Sequence, residues 1–168
     1  MTRYYSPPEV LQKLVTDAQD PRFIGVPFKV LGSEANSFGI RCGDGFAVVF
    51  GFENDGQPTW WLRMAAGIAL DVPDVEGALR WVNEQNRDIY TGCYLCAIDQ
   101  NRGLAAVVYQ ASVSSIVINS DSELVFAFLT NMMTATSKVA ATQPAGLIQR
   151  YGGVPFVEDA ACSLPMMV

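Results

Sequence analysis

Three blocks between residues 74 and 140 decide how this chain folds: DVEGALRWVNEQNR (74–87), TGCYLCAIDQNRGLAAVVYQAS (91–112) and SDSELVFAFLTNMMTATSKVA (120–140). In the first, Val75, Ala78, Leu79 and Val82 recur at i, i+3, i+4 and i+7, one stripe of a 3.6-residue period, and predict an amphipathic helix. Asp74 stands where its carboxylate accepts from the first-turn amides. The second block holds two runs rich in aliphatic and aromatic residues, 94–99 and 104–112, around a polar loop ending in Gly103, and predicts an antiparallel hairpin. The third opens with Ser120 and Glu123 at capping-box spacing, so a helix should start near Asp121. Val125, Phe128, Leu129, Met132 and Val139 make its main stripe, while Leu124, Phe126 and Met133 form a second stripe beside it. One buried face does not account for both. Either the helix lies under two layers of its own domain or part of it meets a partner.

Upstream, Ser6 to Glu9 is another capping box, with prolines in the first turn, and Val10, Leu11, Leu14, Val15 and Ala18 form a helical stripe that stops at Pro21. From residue 28 to 70 the period changes to two. Strands are predicted at 28–31, 38–42, 46–52 and 59–68, an antiparallel meander with turns at Gly43-Asp44-Gly45 and Asn54-Asp55-Gly56. Phe46, Val48, Phe50 and Phe52 share one face of the third strand, and Ala47, Val49 and Gly51 the other. In the fourth, Trp60, Leu62 and Met64 oppose Trp61, Arg63 and Ala65. The bulkier runs, with Phe50 and Trp60, should turn inward and leave Trp61 on the less buried face. A sheet apolar on both sides calls for helices on both faces or a second subunit over one.

The expected architecture is α+β: an antiparallel meander sheet with helices packed around it, in the order α-β-β-β(β)-α-β-β-α. Residues 1–151 form a single domain and 152–168 an extended tail, since the sequence beyond Gly146 shows neither period. With 168 residues, half of them hydrophobic, and a mean hydropathy of +0.19, one domain of this size buries on the order of 70% of its unfolded surface. No apolar run reaches the ~20 residues of a bilayer helix, and the N-terminal residues lack a signal-peptide core. The expected location is cytoplasmic. The net charge is −6, and the eleven Lys and Arg are scattered singly. Neither nucleic acid nor an anionic membrane is the expected partner.

The chain contains no histidine. That removes the commonest general base, the Ser-His and Cys-His pairs and nearly all catalytic zinc sites. Asp44, Glu53 and Asp55 could do acid-base work, but turn chemistry already explains each. Cys93-Tyr94-Leu95-Cys96 has the spacing of a redox pair or half a zinc site. It lies at the start of a strand, where residues i and i+3 leave opposite faces, so both thiols read as structural. No cofactor, metal or catalytic residue is expected, and the chain reads as non-enzymatic.

The run WVNEQNR (81–87), followed by a hairpin and a long apolar helix, resembles the YbjN family, whose members share the fold of type III secretion chaperones. The similarity covers most of the chain: the first helix, a meander with tryptophan late in it, a helix ending in an Asn-containing turn, the hairpin and the final helix. The apolar tail and the long apolar fourth strand depart from the family pattern. The resemblance implies an α+β domain, usually a homodimer, described as a sensory regulator or chaperone-like protein-binding module, with no catalytic residues to carry over. The reading is a non-enzymatic protein-binding domain that pairs with itself and with a further protein. The interface candidates are Val49, Trp61, Arg63, Phe126 and Met133. The alternatives are a small-molecule-binding sensor and, ranked last, a CxxC redox or metal protein.

Overall fold

The computed structural model of the chain describes residues 5–19, 29–34, 36–42, 45–53, 59–89, 91–119 and 123–156. The elements are α1 (Pro7–Gln19), β1 (Lys29–Glu34), β2 (Ser37–Cys42), β3 (Gly45–Glu53), β4 (Trp60–Val72), α2 (Val75–Gln85), β5 (Cys93–Asp99), β6 (Leu104–Ser114), α3 (Ser115–Ile118), α4 (Glu123–Thr142) and α5 (Pro144–Tyr151). The fold is α+β. Six antiparallel strands lie in the order β1-β2-β3-β4-β6-β5, and the helices pack around them. The meander turns Gly43-Asp44-Gly45 and Asn54-Asp55-Gly56 and the capping-box residues Ser120 to Ser122 fall wholly or partly outside the described residues, as do Asp44 and Asp55.

Local chemistry starts the helices where the sequence places them. The Glu9 carboxylate accepts from the Ser6 amide and hydroxyl, both at 2.8 Å, at the head of α1. Asp74 accepts from the Gly77 amide at 2.8 Å at the head of α2. The end of α2 is also tied down: the Asn86 side chain accepts from the Tyr94 amide at 2.7 Å and donates to the Tyr94 carbonyl at 2.9 Å. That amide imitates a neighbouring strand and satisfies the outer edge of β5.

Register defines two faces. Val49 pairs with Met64, Met64 with Ala111, and Tyr109 with Tyr94. These residues belong to the main core, shared with Leu14 of α1, Trp81 of α2, Leu129 and Met133 of α4 and Leu147 of α5. Trp60 joins them, its indole donating to the Tyr5 carbonyl at 3.1 Å. Phe50 pairs with Arg63, Phe52 with Trp61 and Val48 with Ala65, all on the opposite face. The expectation for β3 is therefore reversed: Phe46, Val48, Phe50 and Phe52 face away from the helices. The reason is close approach. Gly45 lies against the backbone of α4 at Ala140 and Gly51 against Pro7 of α1, with no room for a Cβ at either. Small residues face the helices because the α4 backbone lies directly over Gly45 and the Pro7 ring of α1 over Gly51.

The described helices contribute to the main core, so the expectation of helices on both faces is not met by them. The far face has a small apolar cluster of its own, Val48, Phe50, Ala65, Val108 and Phe156, with Phe52, Leu70 and Leu95 at its margin. Phe156 arrives there because the chain leaves α5 at Gly152 and Gly153, both at positive φ, and crosses the end of β4. Val154 then forms an antiparallel bridge with Leu70, its amide and carbonyl each bonded at 2.8 Å. Phe156 covers Gly67, where any side chain would meet the ring. The start of the expected tail is thus packed on the sheet, and residues 157–168 lie outside the described ones.

Two further differences concern α-structure. A helix over 144–151 stands where the sequence shows no clear period. By length and composition, the helical stretch 124–151 is long and apolar enough to cross a membrane, where none was expected. Its Phe126, Leu129, Met132 and Met133 are buried inside the fold.

Candidate interaction surface

The five interface candidates divide between the two faces. Val49 and Met133 are 1% and 0% exposed, and Phe126 is buried as well. This corrects the expectation for those three. Val49 sits under α4 for the close-packing reason given above, and Phe126 meets the Tyr5 ring edge-on at 5.3 Å with the Lys13 ammonium 4.7 Å from its centroid. Both stripes of α4 are explained within the chain except at its first turns, where Leu124 and Phe128 point outward.

Trp61 and Arg63 lie together on the face away from the helices, each partly accessible. The Arg63 guanidinium stands 4.6 Å from the Phe52 ring centroid and donates from Nε to the Ser112 hydroxyl at 3.2 Å. Burial lowers its pKa, and the nearby Cys93 thiol works in the opposite direction. An arginine stacked on an aromatic ring at a partly wet surface is a common interface feature.

From Arg63 the surface continues to the margin of the sheet. The β4 ladder runs along β6 as far as Trp61↔Ser114, whereas the β5 ladder stops at Cys93↔Gln110. Residues 111–114 of β6 therefore have a described strand on one side only. Beside them opens a cavity of about 400 Å³, walled by Cys93, Gln110, Ser112, Phe128 and Met132. Gln110 Nε2 donates to the Cys93 sulfur at 3.6 Å, but Gln110 Oε1 is buried with no hydrogen-bond partner. Phe128 of the wall is 46% exposed, Leu124 before it on α4 is 77% exposed, and Ile116 of α3 is 68% exposed. Leu124 and Phe128 are one helical turn apart and so share a face of α4.

These exposed residues are visible in the sequence as apolar positions of α4 and of the segment after β6. Their exposure is not, because it depends on which elements pack over them in three dimensions. Cys93 and Cys96 behave as the strand reading expects. Cys93 pairs with Gln110 on the outer face and Cys96 with Val107 on the inner, where burial raises the Cys96 thiol pKa. Both are free thiols. Tyr94 and Tyr109 lie in the inner core, and burial, reinforced by each other's proximity, pushes Tyr94 up to about 12.

Chemically the surface offers backbone donors and acceptors, large apolar side chains, one guanidinium and one unsatisfied amide oxygen. Among the described residues no three cysteine, aspartate or glutamate side chains converge as a metal site would require. No protein-family model matches the chain, and no curated protein matches it.

Proposed function

We propose that this chain is a non-enzymatic protein-binding domain, chaperone-like or regulatory in the manner of the YbjN family it resembles, and that it works as a homodimer. The observation that carries the reading is the pair of exposed Leu124 and Phe128 on one face of α4, Phe128 also lining the cavity beside β6. Large apolar side chains gathered at one place on a surface mark contact sites far more often than singly scattered ones do. The outer face adds Trp61, Phe52 and Arg63, side chains of the types enriched at interfaces.

A photo-crosslinking residue in place of Phe128 tests the reading, with the same residue at the exposed Glu76 of α2 as control. Irradiation in lysate of the source cells should give discrete adducts with another protein from position 128 and none of the same species from position 76. Identical adducts from both positions, or none from 128, would remove the support. Adducts joining two copies of the chain would identify the patch as the homodimer contact.

The alternative is a small-molecule sensor. It draws on the cavity of about 400 Å³ and the unpartnered Gln110 oxygen, within the size range of ligand pockets. It ranks second because Phe128, which forms part of the cavity wall, is itself half-exposed.

A further inference from the structure

Cys93 and Cys96 share one strand and are both partly accessible, so exposure does not separate them. Charge and space do. Cys96 packs against the main core under the helices, where burial raises its thiol pKa. Cys93 forms part of the wall of the cavity of about 400 Å³, together with Gln110, Ser112, Phe128 and Met132.

Polar groups gather on the Cys93 side of the sheet. Register puts Ala65, Gln110 and Cys93 in one row across β4, β6 and β5, and Arg63 and Ser112 in the next row of the same face. Gln110 Nε2 donates to the Cys93 sulfur at 3.6 Å, and Arg63 Nε donates to the Ser112 hydroxyl at 3.2 Å. The sulfur is close enough to the guanidinium to oppose the lowering of the Arg63 pKa by burial.

Each part of this corner selects something. A thiol exchanges with disulfides. The guanidinium favours a reagent that carries carboxylates. Gln110 Oε1 has no donor, and a reagent with amide N–H groups brings one. The cavity is within the size range of small-molecule sites, and Phe128 and Met132 give it an apolar wall.

We infer that Cys93 is a site of S-thiolation by a small, carboxylate-bearing, peptide-like disulfide of the glutathione class. The Cys93 thiolate attacks one sulfur of that disulfide. The new S–S bond forms as the reagent's own breaks, and the departing thiolate takes up the proton that Cys93 gave up. The Cys93 sulfur is oxidised and the departing half of the reagent is reduced, so no further oxidant enters. Cys96 leaves the opposite face of the strand and is not placed to displace the adduct. The mark therefore stays until an external thiol removes it. This inference goes beyond the protein-binding reading and does not rest on it.

Incubating the folded full chain with glutathione disulfide, then digesting it and sequencing the peptides by tandem mass spectrometry, tests the site. Adduct should accumulate at Cys93 at least about tenfold faster than at Cys96. No adduct at Cys93, or equal rates at the two cysteines, would overturn the inference. The class of reagent is tested with two small disulfides of opposite charge, anionic dithiodiglycolate and cationic cystamine. Arg63→Gln should shift their rate ratio at Cys93 about three- to tenfold toward cystamine at low salt, and Arg63→Lys, which keeps the charge, should restore it. A ratio unchanged in folded Arg63→Gln would overturn the anionic class assigned to the reagent.

Discussion

Trp60 and Trp61 are adjacent in sequence, and they divide the two faces of one sheet. Trp60 lies under the helices with its indole bonded to Tyr5, while Trp61 lies beside Phe52 on a face with no described helix over it. The inner face is closed by helices from across the chain. The outer face has a five-residue cluster that includes the Phe156 ring, and no described helix lies over it. Apolar content does not distinguish the two faces of β3. What distinguishes them is whether small residues, Gly45 and Gly51, allow a helix to approach closely.

The largest effect expected from this contrast is at the tryptophans. Trp60→Ala should cost about 3–5 kcal/mol, as large aromatic truncations in cores do, and Trp61→Ala about 1 kcal/mol. Denaturant midpoints of the two variants measure the difference, and a reversed order would mean that the outer face is the better packed.

A smaller effect is expected at the Phe156 ring. Gly67→Val puts a side chain where the Phe156 ring lies and should cost about 1–3 kcal/mol by expelling it. In a Phe156→Ala background the same change should cost much less, so the two substitutions should be non-additive. Additive costs would show that the ring does not depend on the glycine.

The smallest effect is confined to alkaline pH and belongs to the inner face alone. Tyr94, with a folded pKa near 12 against an ordinary value near 10, is neutral in the fold when the unfolded chain has already ionised. Its contribution is therefore full below pH 10 and is lost as pH rises through about 12. The Tyr109 hydroxyl is raised in the same sense. Tyr94→Phe should flatten the fall in stability across that window, leaving a residue due to Tyr109. An unchanged slope would place the titration elsewhere.

Much of this was legible from residues alone. The 3.6-residue stripe and the Asp74 cap gave α2, alternation and Gly103 gave the hairpin, and the i, i+3 rule put Cys93 and Cys96 on opposite faces. Period two also separated Trp60 from Trp61 correctly. Bulk points to the wrong inward face of β3, whereas Gly45 and Gly51 mark where helices approach. The helix over 144–151 carried its own signals, Pro144 in the first turn and Gly152 just past the end, in a segment too short for a clear stripe. The interaction surface was the least legible. Val49, Phe126 and Met133 satisfy the same patterns as interface residues do, and only the three-dimensional packing shows that they are buried while Leu124 and Phe128 are exposed.

The bridge from Val154 to Leu70 and the seat of Phe156 on Gly67 also set an order in time. At about 5–20 residues per second, all six strands and the core helices are synthesised before these two contacts can form. Throughout that interval Val48, Phe50 and Val108 lack one of their packing partners. The nascent domain therefore passes through a stage in which the strands are complete while the outer cluster still lacks the Phe156 ring.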